Sequence, residues 1–108
     1  MKTLTHAPVL AWFGYAISDA TRARVLLALA DAPAFPSELA DSLGVSRQSM
    51  SNHLTCLRGC GLVVAVPDGR RTRYELADAR LGHAIKDLIG VVLAVDPNCC
   101  APDGTCVA

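Results

Sequence analysis

A chain of 108 residues with 52% hydrophobic content has room for one compact domain and enough apolar side chain to bury a core. Its charged fraction, 19%, leaves apolar surface for a partner chain to cover, and its longest uncharged apolar run, from Leu88 to Val95, is too short to span a bilayer. The formal net charge of zero conceals an asymmetry, because from Ser46 to Leu76 the basic residues Arg47, Arg58, Arg70, Arg71 and Arg73 are set against only Asp68 and Glu75.

A first helix is predicted from about Val9 to Ile17. Ser18 or Asp19 caps a second that runs to about Ala32, with Val25, Leu26, Leu29 and Ala30 at helical spacing, before Ala32, Pro33 and Ala34 break it. Pro36 opens a short third helix through Leu43, with Leu39, Ala40 and Leu43 facing inward, and Gly44 ends it in a left-handed cap. Ser46 caps a fourth helix reaching about Cys60; two helices joined by a tight glycine-containing turn are a helix-turn-helix. After Gly61 the period becomes extended: Leu62 to Val66, a turn of Pro67, Asp68, Gly69 and Arg70, then Thr72 to Leu76, a β-hairpin. Asp78 caps a last helix in which Leu81, Ala84, Ile85, Leu88, Val91, Val92 and Val95 recur at steps of three and four, and Asp96 and Pro97 stop it.

The expected architecture is therefore mainly α with a β-hairpin wing, a winged helix-turn-helix. Residues 1–97 form the DNA-binding and dimerisation domain, and 98–108 a flexible cysteine-containing tail. The apolar stripe of the last helix exceeds what one small domain needs to cover, so it is predicted to form a dimer seam with the first helix. Lys2 to Pro8 contain no sustained apolar stretch or small-residue cleavage site, which points to a cytoplasmic protein.

On a helical wheel of the fourth helix, Met50, Leu54 and Leu57 form the core stripe, while Arg47, Gln48, Ser51, Asn52, Thr55 and Arg58 spread over the opposite side. A polar face alone signals only solvation. Followed at once by a basic hairpin, it becomes a candidate reading head: Arg47, Gln48, Ser49, Ser51, Asn52 and His53 near base edges and phosphates, with Arg70, Arg71 and Arg73 of the wing reaching phosphates.

Five cysteines, an odd number, lie in two clusters in a chain without an export signal, which argues for metal or redox chemistry over a disulfide framework. Cys56 and Cys60 are four apart, one turn apart on one flank of the fourth helix with His53, and could grip a single ion; small buried hydrophobes are the alternative. Burial cannot account for Cys99, Cys100 and Cys106, because their segment holds little else that is apolar. Soft thiolates favour cadmium, lead, arsenite or antimonite over hard cations, and leave His6, His53 and His83 as lesser ligand candidates.

The runs SDATRARVLLAL, PSELADSLGVSRQSMSNHLTCLRGCGLV and DGRRTRYEL, spanning Ser18 to Leu76, resemble the ArsR/SmtB family of metal-responsive repressors. The resemblance implies a winged-helix homodimer, paired through its first and last helices, that leaves operator DNA when metal binds. SNHLTCLRGCGLVVA, YELAD and VVLAVD are most similar to the cadmium- and lead-sensing branch, whose ligand set maps onto Cys56, Cys60 and one of Cys99 or Cys100. The CC-x5-C set of the tail is instead similar to some arsenite-responsive members, which would place As(III) or Sb(III) on Cys99, Cys100 and Cys106. The zinc-sensing pattern of paired histidines on the last helix is missing, since that helix has only His83.

Three other readings compete. A thiol enzyme built on Cys56 and His53 would need a substrate pocket and oxyanion donors, and no motif supplies them, so no catalysis and no small organic substrate are expected. A repressor sensing oxidants through vicinal Cys99 and Cys100 with Cys106 is chemically possible. A metal buffer would not need a reading helix or a wing.

Overall fold

The computed structural model describes residues 6–92, in the order α1 (His6–Ile17), α2 (Ala20–Asp31), α3 (Pro36–Leu43), α4 (Arg47–Gly59), β1 (Val63–Asp68), β2 (Arg71–Leu76) and α5 (Ala79–Val92). The tail cysteines Cys99, Cys100 and Cys106, and the predicted end of the last helix at Val95, Asp96 and Pro97, lie outside the described residues.

Local chemistry explains where the elements begin. The Asp19 carboxylate accepts from the Thr21 and Arg22 amides at 2.8 and 3.0 Å, so Asp19 rather than Ser18 caps α2. Ser18 instead donates its hydroxyl back to the Tyr15 carbonyl at 2.6 Å, closing α1. Pro36 occupies the first turn of α3, and the Glu38 carboxylate accepts from the Phe35 amide at 3.0 Å. Gly44, at φ 70°, turns the chain out of α3, and Ser46 restarts it by accepting from the Ser49 amide at 3.0 Å. Asp78 accepts from the Arg80 amide at 2.8 Å ahead of α5; side-chain bonds from the Arg80 guanidinium, then that amide, pull its carboxyl down to about 2.

The first helix and the hairpin differ in extent from the sequence-based expectation. α1 begins at His6 rather than about Val9. The hairpin is longer than predicted: Pro67 and Asp68 belong to β1, paired with Thr72 and Arg71, which leaves only Gly69 and Arg70 in the turn. Pro67 is tolerated because a two-stranded ribbon is all edge and asks no outward amide of it, and Gly69 supplies the positive φ, 64°, of a tight hairpin turn.

The core is formed by Val25, Leu26, Leu29, Leu39, Met50, Leu54, Leu57 and Val63 with Ala16, Ala40 and Ile85. Each of its larger side chains contributes about 1.5–3 kcal/mol on burial. Among the described residues no buried side chain is polar or charged. The wing is tied to this body by a bridge the sequence did not signal. Ala34, between α2 and α3, donates to the Tyr74 carbonyl at 3.0 Å and accepts from the Tyr74 amide at 2.8 Å. α5 packs on α2 with Gly82 facing Ala30, where an added Cβ would stand at ordinary contact distance, 3.4 Å, from the Ala30 Cβ.

Candidate nucleic-acid interface and thiol pair

The wheel for α4 is realised in three dimensions. Met50, Leu54 and Leu57 are buried, which turns Arg47, Gln48, Ser51, Asn52, Thr55 and Arg58 to solvent. Gln48 donates its amide to Asn52 Oδ1 at 3.1 Å, one turn on, so the two carboxamides are presented as a linked pair. Ser49 is half-buried and belongs to the cap rather than the open face. His53 is also half-buried and lies within electrostatic reach of the Asp19 carboxylate, which the Arg22 and Thr21 amides hold below the usual carboxylate range.

The three wing arginines are not equivalent. Arg70 sits exposed at the turn. Arg71 is exposed, but its guanidinium lies 3.5 Å from the centre of the Phe35 ring, with Nη2 3.5 Å from Ser37 Oγ. Arg73 is half-buried between two acids, its Nη1 donating to Asp68 Oδ2 at 3.2 Å and its Nε 3.8 Å from Glu75 Oε2. The sequence run DGRRTR does not distinguish these arginines. The strand register, which brings Asp68 opposite Arg71 and Val66 opposite Arg73, puts these charges on one face.

At the other end of α4 lie Cys56, half-buried, and Cys60, exposed at the helix C-cap; both are free thiols. Partial burial and then the adjacent Cys56 sulfur push the Cys60 thiol above its ordinary range, while the Arg22 guanidinium pulls the other way. Cys60 opens onto a groove of about 560 Å³ that it lines with Trp12, Leu62, Leu81 and Ala84. Two adjacent sulfurs fit a soft cation as part of a thiolate site. Among the described residues no cluster of three His, Cys, Asp or Glu side chains completes one. His83 is exposed on α5.

A further exposed surface is apolar. Val9, Leu10, Trp12 and Tyr15 of α1 are 58%, 70%, 70% and 65% exposed, and Leu88 and Val91 of α5 continue the theme. Among the described residues of the predicted α5 stripe, Ile85 is buried in the core and Leu81 packs partly buried against it. No helix among the described residues is long and apolar enough to cross a membrane.

A helix-turn-helix whose second helix carries an open polar face, followed by a hairpin tied beside it, defines the winged-helix class of regulators. The chain belongs to the arsR family of bacterial regulatory proteins, whose model matches residues 19–64. It is 52% identical over 99 residues to the HTH-type transcriptional regulator CmtR of Mycobacterium tuberculosis, covering 92% of this chain and 80% of that protein. It is 32% identical over 100 residues to a probable mercury resistance operon repressor of Streptomyces lividans, covering 89% and 78%. Among solved structures, the NMR structure of the cadmium metal-sensor CMTR from Mycobacterium tuberculosis aligns with a TM-score of 0.69, 52% identity and 91% and 97% coverage. A homodimeric winged helix-turn-helix DNA-binding domain from Mycobacterium bovis aligns with a TM-score of 0.74, 25% identity and 86% and 87% coverage. The chain is thus a transcriptional regulator and not an enzyme.

Proposed function

We propose that this protein is a cytoplasmic repressor that binds operator DNA as a homodimer and leaves it when a thiophilic ion, Cd(II) or Pb(II), is held by Cys56, Cys60 and one of Cys99 or Cys100. The observation that carries the reading is the placement of two functions on one rigid element. Gln48, Ser51 and Asn52 are exposed on the N-terminal half of α4, and the thiol pair closes its C-terminal end. An ion tying that end to the tail segment restrains the helix that enters the major groove, and a coupling of about 1–3 kcal/mol changes DNA affinity roughly five- to a hundredfold. The similarity to a cadmium sensor supports the choice of ion. Residues 1–97 act as the DNA-binding and dimerisation unit, and 98–108 as the segment that delivers the remaining thiolate.

The dimer joins the exposed apolar faces of α1 and α5, so that the two α4 helices meet successive major grooves about one helical turn apart on an inverted repeat. Arg47 and, from the wing, the exposed Arg70 supply phosphate contacts.

The test is a titration of the fully reduced protein with Cd(II), Pb(II), arsenite and antimonite while release of a bound duplex is followed. Release by Cd(II) or Pb(II) under strong reductant is expected, and release only on oxidation would instead favour a thiol-redox sensor. Replacing Cys56 and Cys60 with serine should leave a dimer that binds DNA and ignores the ion. A double mutant still fully released by arsenite would move the site into the tail, onto Cys99, Cys100 and Cys106.

A further inference from the structure

The three wing arginines occupy three different environments, which divides the labour among them. Arg73 is neutralised in place by Asp68 at 3.2 Å and by Glu75 at 3.8 Å. Arg70 stands at the turn, exposed, with no acid paired to it by an ion pair in the described residues. Arg71 is engaged by the protein itself: its guanidinium lies over the Phe35 ring with its central carbon 3.5 Å from the ring centre, and it reaches Ser37 Oγ at 3.5 Å. Phe35 is the residue before α3, and next to it in the chain Ala34 makes the two backbone bonds to Tyr74 that anchor β2. In an extended pair successive residues alternate faces, so Ala34 shares a face with Tyr74 and Phe35 shares the opposite one with Arg71 and Arg73. The bridge fixes β2 at Tyr74, and the stack fixes it again three residues nearer the tip.

We propose that Arg71 is a positioning residue: stacked on Phe35, it latches the wing to the start of α3 and sets where the tip stands relative to α4, and Arg70 makes the wing's phosphate contact. This rests on the DNA-binding role proposed above. A two-stranded hairpin is marginally stable alone, and one bridge leaves its tip free to pivot. Guanidinium stacking on an aromatic face suits a latch because the planar cation can cover the ring while its charge stays in water, a geometry that lysine does not reproduce.

The experiment measures the affinity of the dimer for a duplex enriched by the wild-type protein from a random-sequence pool, across a series of salt concentrations. If the wild-type protein enriches no duplex, the DNA-binding reading itself fails. If it does, Arg70→Ala should lower the slope of log affinity against log salt by about 0.9, the signature of one lost phosphate contact. Arg71→Lys, which keeps the charge, should leave that slope unchanged while weakening binding about three- to tenfold. Phe35→Leu should give the same loss, and the Phe35→Leu/Arg71→Lys double variant should be no worse than either single one, because both remove one contact. Arg73→Ala should leave the slope unchanged. A wild-type affinity in Arg71→Lys, additive losses in the double variant, or an Arg71→Ala slope change equal to that of Arg70→Ala would overturn the latch. The Arg71→Lys arm leaves the core untouched, so it stands even if Phe35→Leu unfolds the chain.

Discussion

The outer face of α4 and the outer faces of α1 and α5 are equally open to solvent in the single chain, yet they are built from opposite chemistry. α4 turns out Gln48, Ser51, Asn52 and Thr55 with arginines at either end, side chains whose hydrogen bonds water already satisfies. α1 turns out Val9, Leu10, Trp12 and Tyr15, and α5 adds Leu88 and Val91, side chains that water penalises. Exposure alone therefore says nothing about purpose. The polar face can exchange water for base edges and phosphates, whereas the apolar face gains only by meeting another apolar surface.

The strongest way to break this contrast is to charge the apolar face. Trp12 is 70% exposed, so Trp12→Asp leaves the core intact while placing a carboxylate in the proposed seam. The variant is expected to sediment as a folded monomer and to lose DNA affinity by about a hundredfold or more, as when an aromatic anchor is removed from an interface. A dimeric Trp12→Asp protein would show that α1 is not the seam.

On the polar face, Gln48→Ala should alter preference at one operator position by about 1–3 kcal/mol, leaving oligomeric state and salt dependence unchanged, as read by binding to a set of singly substituted duplexes. Ser46→Ala touches neither face directly but removes the hydroxyl that accepts from the Ser49 amide. It should cost about 1 kcal/mol and lower the melting temperature by roughly 4–8 °C, with weaker DNA binding as the first turn of α4 frays.

The smallest expected effect is on acid stability. Asp19 and Asp78 both have folded-state pKa values lowered from 3.8, Asp78 to about 2. Their contribution is present above the unfolded value and disappears as pH falls from about 4 toward about 2. Asp78→Asn should flatten this part of a melting-temperature profile only slightly, because the carboxylate and Arg80 are exposed and solvent screens their attraction.

What could be read from the chain alone was whatever local chemistry enforces. Asp19, Ser46, Gly44 and Asp78 mark helix ends because a side-chain acceptor or a positive φ acts within three residues of itself. Met50, Leu54 and Leu57 mark the inner side of α4 because their spacing matches the helical period. The polar edge and the Cys56 and Cys60 flank followed from the same wheel. The division among the wing arginines did not, because it depends on partners brought together by the register and by the Ala34 bridge: Phe35 meets Arg71 across 36 positions of chain, and nothing in the DGRRTR run distinguishes the second arginine from the first. The wheel puts His53 on the Cys56 and Cys60 flank as well as near the reading edge, and its nearness to Asp19 needs the tertiary fold. The α5 stripe was visible as a period. Which part of it enters the core, Ile85, and which part stays open, Leu88 and Val91, was decided by how α5 packs on α2 and β2. A hydrophobic period records that a face is apolar, but only the tertiary fold determines what meets it.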